Sequence, residues 1–149
     1  QLLEMSADVS FTDFHGRTCL WHACQQQWLS GVETLIARGV DVNTRDVHGD
    51  TALACACRAG AELIIDALLL AKADIDAVDG KSRSCLYHAA FYSHERITKK
   101  LLDRGARVTG VCHDGRTVLM ECARNFQDSG FLEHVLKRAA AEQEMNKLP

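Results

Sequence analysis

Apolar residues recur along the chain in clusters spaced three and four apart. Val32, Leu35 and Ile36 form one cluster, Ile65, Leu68 and Leu69 the next, and Ile97, Leu101 and Leu102 a third. That spacing puts each set on one face of a helix. Gly39 and Gly105 stand just past two of the clusters, where a left-handed residue ends a helix. Upstream of each cluster a shorter run opens on a hydroxyl: Thr18, Thr51, Ser84 and Thr117. A hydroxyl there accepts a backbone N–H left unpaired at a helix start. Leu20, Leu53, Leu86 and Leu119 follow each hydroxyl, and small Ala23, Ala56 and Ala89 allow close approach of neighbouring helices. Pairs of short helices are predicted. The single proline, Pro149, interrupts none of them.

The pairs keep a fixed register. "DFHGRTCLWHAC", "DVHGDTALACAC", "DGKSRSCLYHAA" and "CHDGRTVLMECA" begin at Asp13, Asp46, Asp79 and Cys112, each 33 residues after the last. "LIARGVDVN", "LLLAKADID" and "LLDRGARVT" repeat with the same period. No such unit buries its apolar face alone, so neighbours must stack. In the fourth unit, "RNFQDSGFLEHVL" holds one extra residue before Val135 and Leu136.

This run resembles the ankyrin repeat, whose signature is G-x-T-P-L-H-x-A within 33 residues. The resemblance implies an all-α solenoid of stacked helix-turn-helix units joined by hairpin-like loops. Its units fall at 13–45, 46–78, 79–111 and 112–138, with 139–149 as a helical extension or linker. "LLEMSADVSFT" aligns 33 residues before "LIARGVDVNTR". Residues 1–12 are therefore expected to be the tail of a preceding repeat, in a piece of a longer protein. The family's proline is replaced by Cys19, Ala52, Cys85 and Val118. Lys72 stands where glycine would accept a left-handed conformation, an expected strain of about 1 kcal/mol. Ser82 replaces a turn glycine, with Gly80 two residues earlier expected to reshape that loop.

At 47% hydrophobic and 25% charged residues, the composition is that of a globular protein. The net charge of -3 gives no global case for nucleic acid, and no recognition helix or basic tail stands out. The apolar run "IIDALLLA" is too short to span a bilayer, so no membrane insertion is expected. Seven cysteines without a regular framework suggest free thiols in a reducing, intracellular compartment, cytoplasmic or nuclear.

Cys19, His22 and Cys24 crowd around Trp21 and invite a metal or nucleophile reading. Repeat equivalents on stacked helices lie roughly 8–10 Å apart, beyond the ~7 Å that a disulfide spans. Zinc needs four ligands converging at about 2.0–2.3 Å, yet His22 and Cys24 leave the helix on different sides. Cysteine as a small buried hydrophobe is the simpler reading. Acidic residues are scattered over loop ends and outer helix faces, where solvated surface is expected. The glycines fall at repeat turns rather than in a phosphate loop. No catalytic residue, metal ligand or cofactor is assigned.

Partners of ankyrin-like arrays usually meet the concave side, formed by the turn tips and the exposed face of each first helix. By position, that side here carries Arg17, Gln25, His48, Arg58, Lys81, Arg83, Phe91, Tyr92, His113, Arg116 and Arg124. The six Arg and Lys of this set, set against Asp50 and Asp114, leave +4 on the face. Arg pairs bidentately with carboxylate and phosphate. The expected partner is thus a protein segment that is acidic or phosphorylated, centred on repeats three and four. Phe91 and Tyr92 are expected exposed, as interface aromatics often are; Trp21 and Tyr87 are expected partly buried. An alternative is a methyl-lysine reader with a cage from Trp21, Trp28, Tyr87, Phe91 and Tyr92 and a carboxylate from Glu121. Against it, a basic groove repels a histone tail, and Trp28 falls in a turn far from Phe91. A further alternative is a regulatory or targeting domain of an enzyme carried elsewhere in the parent chain.

Overall fold

The structure, a computed structural model, describes residues 8–147. Among these, eight helices follow in pairs: α1 (Cys19–Gln25) with α2 (Leu29–Ala37), α3 (Ala52–Ala59) with α4 (Glu62–Leu70), α5 (Cys85–Phe91) with α6 (Glu95–Asp103), and α7 (Val118–Asn125) with α8 (Ser129–Met145). The first helices α1, α3, α5 and α7 pack side by side in series, and each packs against its own second helix. The apolar core runs lengthwise through this stack. Leu20, Leu53, Leu86, Ile65, Leu68, Leu101 and Leu102 lie at its centre, fully buried.

The first helices start where the hydroxyls predict. Thr18, Thr51, Ser84 and Thr117 each accept a backbone N–H three residues on, at 3.2 Å. Such caps contribute about 1 kcal/mol apiece. The turns into the second helices share a register too: Gln27, Gly60 and Ser93 all take left-handed φ, at 54°, 74° and 62°. In the fourth pair this turn is rebuilt around the extra residue. Phe126 takes an extended backbone instead, and Asp128 caps α8 by accepting the Gly130 N–H at 2.9 Å. Phe126 turns inward and meets Phe131 edge-on at 5.2 Å.

The rebuilt turn sets which face of α8 is buried. Phe131 and Val135, four apart, face inward, while Leu136 is 46% exposed. One helical step beyond Val135 carries a side chain about 100° round the axis, off the buried face. The strong helix formers of "KRAAAEQEM" then carry α8 on to Met145 without a break at residue 138.

At the tips, each repeat closes a tight loop. Asp13, Asp46, Asp79 and Cys112 donate their N–H to the carbonyl four residues on, at 2.9–3.0 Å. Successive tips are joined by single bonds: Val47 N–H to the His15 carbonyl (2.9 Å), Gly80 N–H to His48 (2.7 Å) and His113 N–H to Lys81 (3.1 Å). Gly80 allows the closest of these approaches, since a Cβ there would stand 3.0 Å from the His48 oxygen. Lys72 and Ser82 hold left-handed φ of 68° and 59°, the strained conformation their positions predict.

Two cysteine expectations divide. Cys24, Cys55, Cys57, Cys85, Cys112 and Cys122 are buried, but Cys19 is exposed. Its repeat counterparts Ala52, Cys85 and Val118 are buried, at 2–3% exposure. Residues 1–7 of the expected preceding tail lie outside the described residues. Of its remainder, Val9 packs against the core and its carbonyl accepts from the Cys19 thiol at 3.4 Å.

Candidate functional site

The tips and first helices bring the expected partner residues onto one face, in repeat order. Gln25 ends α1 and is exposed, as are His48, Lys81, His113, Arg116 and Arg124, while Arg17, Arg58 and Arg83 are half-buried. Phe91 closes α5 and Tyr92 follows it, 39% and 49% exposed. Their rings meet edge-on at 5.1 Å, and Phe91 stacks on Tyr87 at 6.0 Å. Trp21 and Tyr87 are more deeply set than expected, at 5% and 4% exposure.

The arginines are not equivalent. Arg58 makes a two-pronged hydrogen-bonded pair with buried Asp50. Arg83 is bound to buried Asp79, with Nε to Oδ2 at 2.8 Å and Nη2 to the same oxygen at 2.7 Å. Arg17 lies over the Trp21 ring at 4.3 Å, with Asp46 3.6 Å away. Arg58 and Arg83 are thus hydrogen-bonded into the scaffold, while Arg17 is held by its contact with the Trp21 ring and makes no hydrogen bond to Asp46. Arg116 and Arg124 instead stand 3.6 Å and 4.0 Å from Glu121, beyond hydrogen-bond reach, with side chains 47% and 67% exposed. Lys81, His48 and His113 have no ion pair among the described residues.

The expected surface acids are corrected by the same geometry. Asp46, Asp50, Asp79 and Glu121 are buried. Asp13, Asp46 and Asp79 use Oδ1 to accept two tip N–H groups each, at 2.8–3.0 Å, which fixes the loop shape. The six cations of the face therefore meet five carboxylates (Asp46, Asp50, Asp79, Asp114, Glu121), leaving +1 rather than +4. The signal was present in the sequence: aspartate recurs at the first position of three tips, and Glu121 stands in the register of His22 and His88.

Burial opposes ionisation of Asp79, but the Arg83 guanidinium and the Arg83 and Lys81 N–H groups hold its carboxyl below the ordinary value. His88 lies 3.4 Å from Asp79 Oδ2. Burial first, then Arg58 and Arg83, push its imidazole down to about 4, so at neutral pH the contact is between a carboxylate and a neutral ring. Three of the buried thiols are held protonated as well. Burial raises Cys24 and Cys122 to about 12 and Cys55 to about 11, which leaves these three thiols poor nucleophiles at neutral pH. His22 is engaged with Asp13 at 3.0 Å.

A family model described as ankyrin repeats, three copies, matches residues 1–79 and 64–146. The chain belongs to the ankyrin-repeat family. A comparison with curated proteins finds no match. Ankyrin repeats are in general protein-protein interaction modules, and among the described residues of this one no helix is long and apolar enough to cross a membrane. Of the five rings considered for an aromatic cage in this ankyrin array, Tyr87, Phe91 and Tyr92 touch in sequence. Trp21 is covered by Arg17, and Trp28 lies over Gly31 on the flank of α2. Beside Tyr87, the Glu121 carboxylate already faces two guanidinium groups.

Proposed function

We propose that this ankyrin array is a non-catalytic binding module. Its ligand is an extended, acidic or phosphorylated protein segment, held on the tip-and-first-helix face across the third and fourth repeats. One observation carries the reading: the exposed Phe91–Tyr92 pair continues directly into the accessible cations. Phe91 stacks on Tyr87, Tyr87 donates its hydroxyl to Glu121 at 3.3 Å, and Glu121 is flanked by Arg116 and Arg124. The Asn125 amide ties the end of α7 to the Phe91 carbonyl at 3.2 Å, holding the two surfaces together. An aromatic anchor beside guanidinium donors is the composition of interface hot spots. Lys81 and His113 extend the cationic edge at the tips, while Arg58 and Arg83 shape the floor.

Fluorescence anisotropy with a labelled peptide carrying one phosphoserine among glutamates tests this. Arg116→Glu with Arg124→Glu abolishes binding, and Phe91→Ala with Tyr92→Ala weakens it at least about ten-fold, a loss of about 1.4 kcal/mol. Unchanged affinity in the charge-reversed protein contradicts the reading.

A further inference from the structure

Glu121 is chemically out of place. In the first and third repeats its position is a histidine, His22 or His88, set beside a loop aspartate, Asp13 or Asp79. In the fourth repeat the loop residue is Cys112, and the acid sits on the helix instead. The carboxylate is buried, at 2% exposure. One oxygen takes a single 3.3 Å bond from Tyr87, and Oε2 has no hydrogen-bond partner. Burying a charge under those terms is costly unless opposite charge lies close by. Arg116 and Arg124 supply that charge without hydrogen bonding, at 3.6 Å and 4.0 Å. Their N–H donors are therefore uncommitted to Glu121 while their positions are held. The neighbouring Arg58 and Arg83 differ on this point, having committed theirs to Asp50 and Asp79. Asp114 approaches Arg116 at 3.7 Å, also beyond hydrogen-bond reach.

We infer that Arg116 and Arg124 form a seat for a partner's phosphate or carboxylate, and that Glu121 is its internal counter-charge, positioning both guanidinium groups and limiting how tightly the seat holds an anion. This rests on the reading of the face as a site for acidic segments. Glu121 holds the two side chains in place through its field, which lowers the ordering cost of binding. The same negative charge repels the arriving anion. The net effect is a seat that releases its ligand readily.

The full chain is titrated with the phosphoserine peptide, an unphosphorylated glutamate counterpart and an oligolysine peptide. Glu121→Gln preserves shape and the Tyr87 contact while deleting the charge. Removing a like charge a few ångströms from a bound anion is worth about ten-fold in affinity at a protein surface, so the variant binds both acidic peptides about ten-fold tighter, with steeper salt dependence. Wild-type binding with no gain in Glu121→Gln overturns the inference and leaves the acidic-segment reading standing. No binding by either protein overturns both. Oligolysine binding that is lost in the variant also overturns the inference, making the cluster a cation seat. If Glu121→Gln fails to fold, the side-chain N–H resonances of the wild-type arginines decide. Saturating phosphopeptide shifts those of Arg116 and Arg124 and spares Arg58 and Arg83; the reverse pattern contradicts the seat.

Discussion

At the residue scale, what a side chain packs against decides its fate more than its chemistry does. Cys24 and Cys57 read as packing and are packed; Cys19 has the same chemistry and is exposed, unlike its register mate Cys85. Pattern alone made the hydroxyl caps, the left-handed Lys72 and Ser82, and the exposed aromatic pair legible. It did not make the arginine pairings legible, because a tip cation and its carboxylate lie in different parts of the unit: Arg58 reaches back eight residues to Asp50, and Arg17 reaches into the next repeat to Asp46. His88 gives a prediction at this scale. Its imidazole titrates at about 4 in the native state, chiefly because it is buried, and near 6.5 when unfolded. Between those values the unfolded chain binds a proton that the native chain does not. Stability from this group is therefore full above about pH 6.5 and is lost as pH falls toward about 4, by roughly 3 kcal/mol. Urea unfolding across that range shows the decline, and His88→Gln flattens it; an equal slope in the variant contradicts the assignment.

At the element scale, the helix pairs followed from apolar spacing, and the departures lie in the fourth pair. The extra residue was visible in the sequence, but the response to it was not. Phe126 and Phe131 fill the altered turn, and the phase they set turns Leu136 outward. The length of α8 has a structural use that no periodicity announces. Glu142, near its end, accepts the Val108 N–H at 2.9 Å and the Thr109 N–H and hydroxyl at 3.1 Å. In the second and third repeats the loops do this for one another: Asn43 accepts from Asp74, and Asp76 from Arg107. In both cases the acceptor belongs to the preceding loop; Glu142 adds an acceptor for Val108 and Thr109 from the other side, out of α8. Glu142→Ala is expected to cost about 2 kcal/mol, from three bonds to one carboxylate. Urea denaturation reads the loss, and an amide-exchange increase confined to Val108 and Thr109 locates it.

At the scale of the whole molecule, the array is a ribbon of tips joined by one backbone bond per step and backed by a continuous core. Asp13, Asp46 and Asp79, the latter two buried, fix the first three tips by accepting their N–H groups, while the fourth tip carries Cys112 at that position. The ankyrin fold was legible because it repeats; a partner's place on it is less so, because the face proposed for it includes positions, such as Phe91 and Tyr92, that change from repeat to repeat. Lys81, Phe91 and Tyr92 differ in kind from their register mates. Arg116 instead repeats Arg17 and Arg83, and Arg124 repeats Arg58; the two differ from Arg58 and Arg83 in making no hydrogen bond to a carboxylate. The most direct test is a backbone amide chemical-shift titration of the full chain with the phosphoserine peptide. The account predicts shifts confined to the third and fourth tips and to the ends of α5 and α7, from Lys81 through Arg124. Shifts centred on α2, α4 or α6, or none at saturating peptide, would contradict it.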